Sequence, residues 1–232
     1  MKILVSLMKF LRERKKEIAK MHHLETQELV NGIYVIKTKD ANFYVIKDGN
    51  NYIAIDAGGG NKNIAANQLN KLNIDPEKIT AVLLTHSDFD HTSALSLFKN
   101  AAIYLSKPEV QIIDGSVPRM FGISVRNKLN VDHVIESDEE LHFGTLKIKP
   151  ILTPGHTSGS MSYLLDDKYL FVGDALSLKN GQVELFNTLF NMDDDLHRQS
   201  LTHLAKMPDI KYIFTAHYGF TPNSGDTFQN FQ

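Results

Sequence analysis

Four side chains that can bind a metal ion lie within six residues of one another. They are His86, Asp88, Asp90 and His91, in the segment Thr85-His86-Ser87-Asp88-Phe89-Asp90-His91. In an extended chain, residues i and i+2 point to the same side, so His86 and Asp88 could share one ion. Asp90 and His91 lie where the chain turns towards a helix and could face a second ion. The simpler alternative is a polar loop with two incidental histidines.

Three later apolar runs end in a side chain of the same kind. They deliver His156 in Thr153-Pro154-Gly155-His156-Thr157, Asp174 in Gly173-Asp174-Ala175, and His217 in Ala216-His217-Tyr218-Gly219. A glycine or proline near each of them turns the chain sharply. Four such strand ends in one chain argue against coincidence. The chain has no cysteine, so a metal site must use imidazole and carboxylate, and disulfides, thiolate zinc fingers, iron–sulfur clusters and a cysteine nucleophile are excluded.

Composition indicates one ordinary folded domain preceded by a basic segment. The chain has 232 residues, of which 42% are hydrophobic and 22% charged, and its net charge of −2 argues against binding nucleic acid. Residues 1–20 carry seven basic and two acidic side chains, hence +5, which leaves −7 for the remainder. The apolar run 3–11 is shorter than the roughly 20 residues that span a bilayer. It is also a poor signal peptide, because most of the charge follows it.

These features predict a cytoplasmic protein with two parts. Residues 1–24 form a basic extension that we expect to be helical, and residues 25–232 form the main domain. The extension could dock on the domain, precede a start at Met21, or lie as an amphipathic helix on a membrane surface through residues 1–20.

The elements that must position the candidate ligands follow from the apolar pattern. Short β-rich runs at 33–36, 43–46 and 52–55 are separated by turn residues, and the apolar run 79–84 is typical of a strand buried on both faces. Further strands are predicted over 102–105, 131–135, 141–143, 146–152, 160–165, 169–172 and 211–215. Helices are predicted over 61–72, 92–99, from 107 and over 193–207, with a loop or cap over 115–130. Two similar halves, each with helices over its sheet, predict an α/β protein of four layers.

The complete set of motifs, which covers residues 31–220, resembles that of the metallo-β-lactamase superfamily. The mark of that family is His-x-His-x-Asp-His, followed by a His, an Asp and a His on later strand ends. The resemblance implies a four-layer αββα sandwich that holds two divalent metal ions, zinc in the first instance. It implies that site 1 uses His86, Asp88 and His156, that site 2 uses Asp90, His91 and His217, and that Asp174 bridges both.

One position departs from the family pattern, because Asp88 stands where the second motif histidine is expected. A carboxylate is a harder ligand than imidazole and adds negative charge, which favours iron or manganese more than a histidine would. Aspartate is also shorter, so site 1 could be weak. The flavodiiron oxygen reductases resemble this pattern with a glutamate there, but they also carry a flavodoxin domain, for which this chain has no room.

The resemblance implies a metal-dependent hydrolase similar to the glyoxalase II-like and lactonase-like members, acting on an ester, thioester or lactone of a small molecule. Two ions about 3.5–4 Å apart can share a water and lower its pKa, so that hydroxide is present near neutral pH. Asp90 is the candidate catalytic residue, which would orient the nucleophile or pass its proton to the leaving group; ligation of site 2 competes with that role. The alternatives are an iron-dependent oxidoreductase or oxygenase, and a binding protein with a degenerate metal site.

Several residues around these motifs have two interpretations. Asp56 could support a ligand histidine or cap the turn that follows it. Arg119 could pair with a substrate carboxylate or be solvated, and Tyr218 could donate to a substrate oxygen or pack in the core. The loop residues Phe186, Phe190 and Met192 could line an apolar pocket or belong to the core. The remaining histidines are predicted to be superficial or structural: His22, His23, His133, His142, His197 and His203.

Overall fold

Two β-sheets form the centre of the computed structural model, which describes residues 12–13, 15–119, 124, 129–136 and 139–232. The first sheet has seven strands in chain order: β1 (Gln27–Val30), β2 (Ile33–Lys37), β3 (Asn42–Asp48), β4 (Asn51–Ile55), β5 (Ile79–Leu83), β6 (Ala102–Ser106) and β7 (His133–Ile135). Its first four strands pair antiparallel, and β4 to β7 pair parallel. Parallel pairing brings the carboxyl ends of β4 and β5 to the same edge.

The second sheet has six strands in the order β15-β14-β11-β10-β9-β8. They are β8 (Leu141–Phe143), β9 (Leu146–Leu152), β10 (Met161–Leu165), β11 (Tyr169–Gly173), β14 (Tyr212–Thr215) and β15 (Phe220–Pro222). Strands β11 and β14 are parallel, so they also end at one edge. A separate hairpin joins β12 (Ser177–Lys179) to β13 (Gln182–Glu184).

Helices cover the outer faces of the two sheets, and one short helix lies at the edge after β5. They are α1 (Lys62–Lys71), α2 (Phe89–Thr92), α3 (Lys107–Ile113) and α4 (Asp194–Ala205), with 3₁₀ turns at Pro76–Lys78, Leu95–Leu97 and Gln229–Phe231. Side chains satisfy free amides at the first turns: Asn61 caps α1, Ser106 caps α3 and Asp193 caps α4. Residues 12–13 and 15–18 are helical as well.

Three apolar clusters fill the spaces between these layers. Ile53 and Leu83 point between the sheets and pack with Tyr163, Phe171 and Phe214 of the second sheet. Their chain neighbours Ala54 and Val82 point outwards and pack with Leu69 of α1. On the far side, Leu170 and Val172 pack with Leu201 and Leu204 of α4. Both sheets are therefore buried on two faces, and the predicted αββα sandwich is confirmed.

Several elements differ from the prediction. The helix predicted over 92–99 is wrong: α2 occupies Phe89–Thr92, and a 3₁₀ turn follows at Leu95–Leu97. Strands β1 and β15 were not predicted. Both lie at sheet edges, where exposed positions weaken the apolar pattern. The β12–β13 hairpin turns at Asn180-Gly181, where both residues have positive φ, a strong hairpin signal that the apolar pattern alone does not contain.

The end of the basic extension packs against the main domain. The backbone N–H of His22 donates to the carbonyl of His217, and the Asn42 side chain accepts from the Leu24 N–H at 2.7 Å and donates to the Leu24 carbonyl. Residues 1–11 and 14, on which the membrane-surface interpretation largely rests, lie outside the described residues. In the described part of the chain, no helix has the length and apolar character needed to cross a bilayer.

Candidate metal centre

All seven predicted ligands converge at one edge of the sandwich. His86, Asp88, Asp90 and His91 follow β5 in the first sheet, whereas His156, Asp174 and His217 follow β9, β11 and β14 in the second. The four histidines and Asp174 are at most 5% exposed. Six of the seven, all except Asp88, have ligand atoms in two groups that could each hold an ion, namely His86, His156 and Asp174, and Asp90, His91 and His217.

The atoms of the site 2 group have the spacing of ligands around a single ion. His91 Nε2 lies 3.4 Å from Asp174 Oδ1, and His217 Nε2 lies 3.2 Å from the same oxygen. Asp90 Oδ2 lies 3.4 Å from His217 Nε2 and 4.0 Å from His91 Nε2. A tetrahedral ion with bonds of about 2.0–2.2 Å separates its ligand atoms by about 3.3–3.6 Å. Three of the four distances lie in or just below this range and the Asp90–His91 distance is longer, so the group could hold one such ion.

The site 1 group has similar spacing on the other side of Asp174. Asp174 Oδ2 lies 3.6 Å from His156 Nε2, so the two oxygens of this carboxylate face different groups. Asp88 Oδ2 lies 3.6 Å from His86 Nε2 and 3.3 Å from His156 Nε2. This geometry suits Asp174 for the bridging position that the family resemblance implies.

Each of the four histidines is held through Nδ1, which leaves Nε2 directed at the centre. His91 Nδ1 bonds Asp56 Oδ2 at 2.8 Å, and His86 Nδ1 bonds Thr85 Oγ1 at 3.0 Å. His156 Nδ1 lies 3.3 Å from the side-chain oxygen of Asn191. His217 Nδ1 lies 3.3 Å from His23 Nε2. Metal-bound histidines generally have such partners, which fix the ring and the tautomer.

Asp56 and Thr85 together support two of these histidines. Asp56 Oδ1 accepts from the Thr85 N–H at 2.7 Å, and Thr85 Oγ1 donates to the Asp56 carboxylate while it contacts His86. Asp56 adopts a positive φ of 63°, which aspartate tolerates better than most residues. The interpretation of Asp56 as the partner of a ligand histidine is therefore confirmed as a contact.

Close packing behind Thr85 requires glycine at position 173. Gly173 has a φ of +53°, and a Cβ there would lie 2.4 Å from Thr85 Oγ1. The glycine that precedes Asp174 thus lets the second sheet approach the hydroxyl group that positions His86.

A buried glutamate joins the two loops that carry His86 and His156. Glu109 in α3 is fully buried; it accepts from Ser87 N–H and Oγ through one oxygen and from Thr157 Oγ1 through the other. Glu109 was not among the residues predicted to belong to the site. The only available signal was the spacing Ser106-x-x-Glu109 at a helix start, which points to a capping box rather than to a support for the site.

His23 and His197 were predicted to be superficial or structural. His23 instead belongs to the centre, since its ring contacts His217. It precedes β1 and lies outside the strand-end pattern, so the sequence carried no signal for it. His197 is buried and bonds the carbonyl of Ala175 and the Asn191 amide, which lies 2.8 Å from its Nδ1. It therefore holds Asn191, the partner of His156.

Asp88 pairs with Arg119, a contact that was not predicted from the sequence. The Arg119 guanidinium donates to both carboxylate oxygens, Nε to Oδ1 at 2.8 Å and Nη2 to Oδ2 at 2.6 Å. Nη2 also lies 3.0 Å from His156 Nε2 and 3.2 Å from the Phe190 carbonyl. Ligation by Asp88 stays a prediction, but its carboxylate is shared with a fixed cation.

The buried charges of the centre perturb one another strongly. Burial opposes ionisation of Asp174, but His217 and His91 outweigh it and hold its pKa well below the usual range. Burial likewise opposes protonation of His217, yet Asp174 and Asp90 raise its pKa to about 9. For His156 burial dominates and lowers the pKa. The metal-free centre thus holds protons that a metal ion would have to displace.

The ligand atoms themselves show that a metal fits. His86 Nε2, His91 Nε2 and Asp174 Oδ1 are buried without a hydrogen-bond partner. Leaving such atoms unpaired costs about 1–3 kcal/mol each, and ions at the two sites would satisfy all three: His86 Nε2 at site 1, and His91 Nε2 and Asp174 Oδ1 at site 2. The donor set of imidazole and carboxylate is one that zinc accepts.

A cavity of about 460 Å³ opens over the centre. Its apolar wall includes Phe186 and Phe190 from the loop after β13, Phe89 from α2, and Ile18 and Met21 from the end of the extension. Phe186 and Phe190 therefore line the pocket, as one interpretation predicted. Tyr218 and Met192 are not among its lining residues, and Tyr218 packs in the outer core.

Comparison with known proteins identifies the family. The sequence profile of the Metallo-beta-lactamase superfamily matches residues 37–217. The chain belongs to the metallo-β-lactamase superfamily. The family and the fold predicted from the motifs are therefore confirmed.

Relatives within this superfamily carry names of metal-dependent hydrolases. A probable metallo-hydrolase of Methanocaldococcus jannaschii is 33% identical over 159 residues, 68% of this chain and 66% of the relative. The hydroxyacylglutathione hydrolase of Dictyostelium discoideum is 26% identical over 197 residues, 79% of this chain and 64% of the relative. The chain thus spans slightly less than two thirds of either protein. A subclass B3 metallo-β-lactamase of Bradyrhizobium japonicum shares the fold, with a TM-score of 0.68, 20% identity, and coverage of 88% of this chain and 80% of that one.

Proposed function

We propose that the protein is a metal-dependent hydrolase that cleaves an ester, thioester or lactone of a small molecule. The observation that carries the proposal is the pair of neighbouring ligand groups that both contact Asp174, with unpartnered nitrogen and oxygen atoms directed at one centre. The names of the relatives, which include a hydroxyacylglutathione hydrolase, support the same class of reaction.

Each of the two proposed ions would have its own set of ligands, with Asp174 common to both. His86, Asp88, His156 and Asp174 would hold one divalent ion, and Asp90, His91, His217 and Asp174 the other. Bound ions would supply Lewis acidity and lower the pKa of water, which provides hydroxide near neutral pH. Zinc suits these ligands best, and the carboxylate of Asp88 leaves iron or manganese as alternatives.

Asp90 is the residue we assign to proton handling. Its side chain is one third exposed, whereas Asp174 is almost fully buried, and it borders the cavity. One carboxylate oxygen faces the site 2 ligands, so the other is available to orient the nucleophile or to carry its proton to the leaving group. The aromatic wall suits an apolar acyl or lactone group.

Substitution of Asp174 tests the proposal. Asp174→Asn is expected to abolish ester or lactone turnover and to lower the bound zinc together, because Asp174 belongs to both sites. Asp209→Asn is a matched control, since Asp209 is exposed. Retention of zinc and turnover in Asp174→Asn would contradict the proposal. Redox-active iron with oxygen consumption and no ester turnover would favour the oxidoreductase alternative. A single bound ion without any turnover would favour a binding protein.

A further inference from the structure

The Arg119 side chain is fixed beside site 1 by several independent contacts. Its two bonds to Asp88 are parallel and charge-assisted, and its Nη2 also donates to the Phe190 carbonyl. The side chain is only 14% exposed. A bidentate guanidinium with an additional backbone acceptor has little freedom to leave.

Arg119 contacts two atoms that site 1 needs. Its Nη2 lies 2.6 Å from Asp88 Oδ2 and 3.0 Å from His156 Nε2. The nitrogen of a neutral imidazole has one lone pair, which either accepts a hydrogen bond or binds a metal ion. Arg119 therefore competes for His156 Nε2 and places a positive charge next to the position of the ion.

Site 2 has no corresponding cation. Among the described residues, no lysine or arginine side chain forms an ion pair or hydrogen bond with Asp90, His91, His217 or Asp174. The histidine that contacts this group, His23, can accept a hydrogen bond from the His217 Nδ1–H through its Nε2 while it stays neutral. The two groups thus differ in electrostatics although their ligand spacing is similar.

We propose that the Asp88–Arg119 pair takes the place of the second motif histidine as a neutral unit, and that Arg119 makes site 1 the weaker of two unequal metal sites. The carboxylate and the guanidinium cancel, so the net charge equals that of a neutral imidazole. Competition for His156 acts on site 1 alone, and repulsion by the guanidinium acts more strongly there because Arg119 contacts only site 1 ligands, so site 1 binds its ion more weakly than site 2 does. This inference rests on the proposed metal centre.

Zinc titration of the chelator-treated protein tests the inference. Competition with a chromophoric chelator, and the visible absorption of the cobalt-substituted protein, report each site without reference to activity. We expect the wild type to fill one site before the other. Arg119→Met and Arg119→Gln, which both remove the charge, should tighten the weaker site about tenfold or more and change the affinity of the stronger site less. Arg119→Lys keeps the charge and should keep the weak site.

Each outcome has a defined meaning. Arg198→Met, on the exposed face of α4, is the matched control and should bind zinc like the wild type. Two equal sites in the wild type, or unchanged affinities in both neutral variants, would overturn the inference and leave the proposed function intact. Weaker zinc binding in the neutral variants would also overturn it, because Arg119 would then serve to position Asp88. A wild type that binds no zinc would overturn both proposals.

Discussion

Replacing Asp56 by asparagine changes the support of the metal centre with almost no change in shape. The carboxylate accepts three hydrogen bonds, from Thr85 N–H at 2.7 Å, from Thr85 Oγ1 at 2.9 Å and from His91 Nδ1 at 2.8 Å. Asp56 is 3% exposed, so water cannot replace a lost partner. Asparagine tolerates the positive φ at this position, which leaves hydrogen bonding and charge as the only differences.

The asparagine amide can satisfy either the Thr85 donors or His91 Nδ1, but not both. If its NH₂ group faces Thr85, two donors oppose each other, which costs about 1–3 kcal/mol of folding stability. If the NH₂ group faces His91, Nδ1 must accept, and the ring proton moves to Nε2, where it blocks a metal ion. Loss of such a partner typically weakens metal binding about 10- to 100-fold, or about 1.4–2.8 kcal/mol.

Zinc competition titration and urea unfolding of Asp56→Asn measure these two effects. Asp167→Asn is the matched control, because Asp167 also has a positive φ but is exposed and remote from the centre. We expect weaker zinc binding or lower stability in Asp56→Asn and neither change in the control. Zinc affinity within twofold of the wild type, at unchanged stability, would refute the idea that Asp56 fixes the tautomer of His91.

Two further predictions concern His217. His23→Ala should weaken zinc binding severalfold, and His23→Asn, which keeps a hydrogen-bond acceptor, should restore part of the affinity. The control His22→Ala, at an exposed neighbouring residue, should have no effect. Equal zinc affinities in all three variants would contradict the idea that His23 positions His217. The second prediction is a pH effect on the chelated protein. Folding raises the pKa of His217 from 6.5 to about 9, because Asp174 and Asp90 outweigh burial. Protonated His217 therefore contributes fully to the free energy of unfolding below pH 6.5, and this contribution is lost as the pH rises to 9. Urea unfolding with EDTA should show a loss of about 3 kcal/mol over this range, absent in the zinc-loaded protein, and a rise in stability would contradict it.

The sequence predicted those parts of the structure that repeat a pattern. Ligands at strand ends share a signature, an apolar run followed by His or Asp beside a glycine, and the buried strand 79–84 and the helix over 193–207 have the expected periodicity. The Asp56 contact could be anticipated because it too ends a strand. These features depend on local spacing alone.

The remaining contacts join residues that are distant along the chain. Arg119 was a candidate for substrate binding, and only the fold brings it to Asp88, 31 positions earlier. His23 reaches His217 across 194 positions, and Glu109 reaches Thr157 across 48. Neither periodicity nor a short motif predicts contacts between residues so far apart in the sequence. Edge strand β1 was missed for a different reason, since its two exposed positions are followed by two half-buried ones, without the alternation that marks a half-buried strand.

Each proposed ion draws its ligands from both halves of the sandwich. His86, Asp90 and His91 follow the first sheet, while His156, Asp174 and His217 follow the second. A bound ion would therefore cross-link the two sheets in a chain that has no cysteine to form a disulfide. Metal loading should then slow the separation of the two halves, and amide hydrogen exchange at the ends of β5, β11 and β14 would report it.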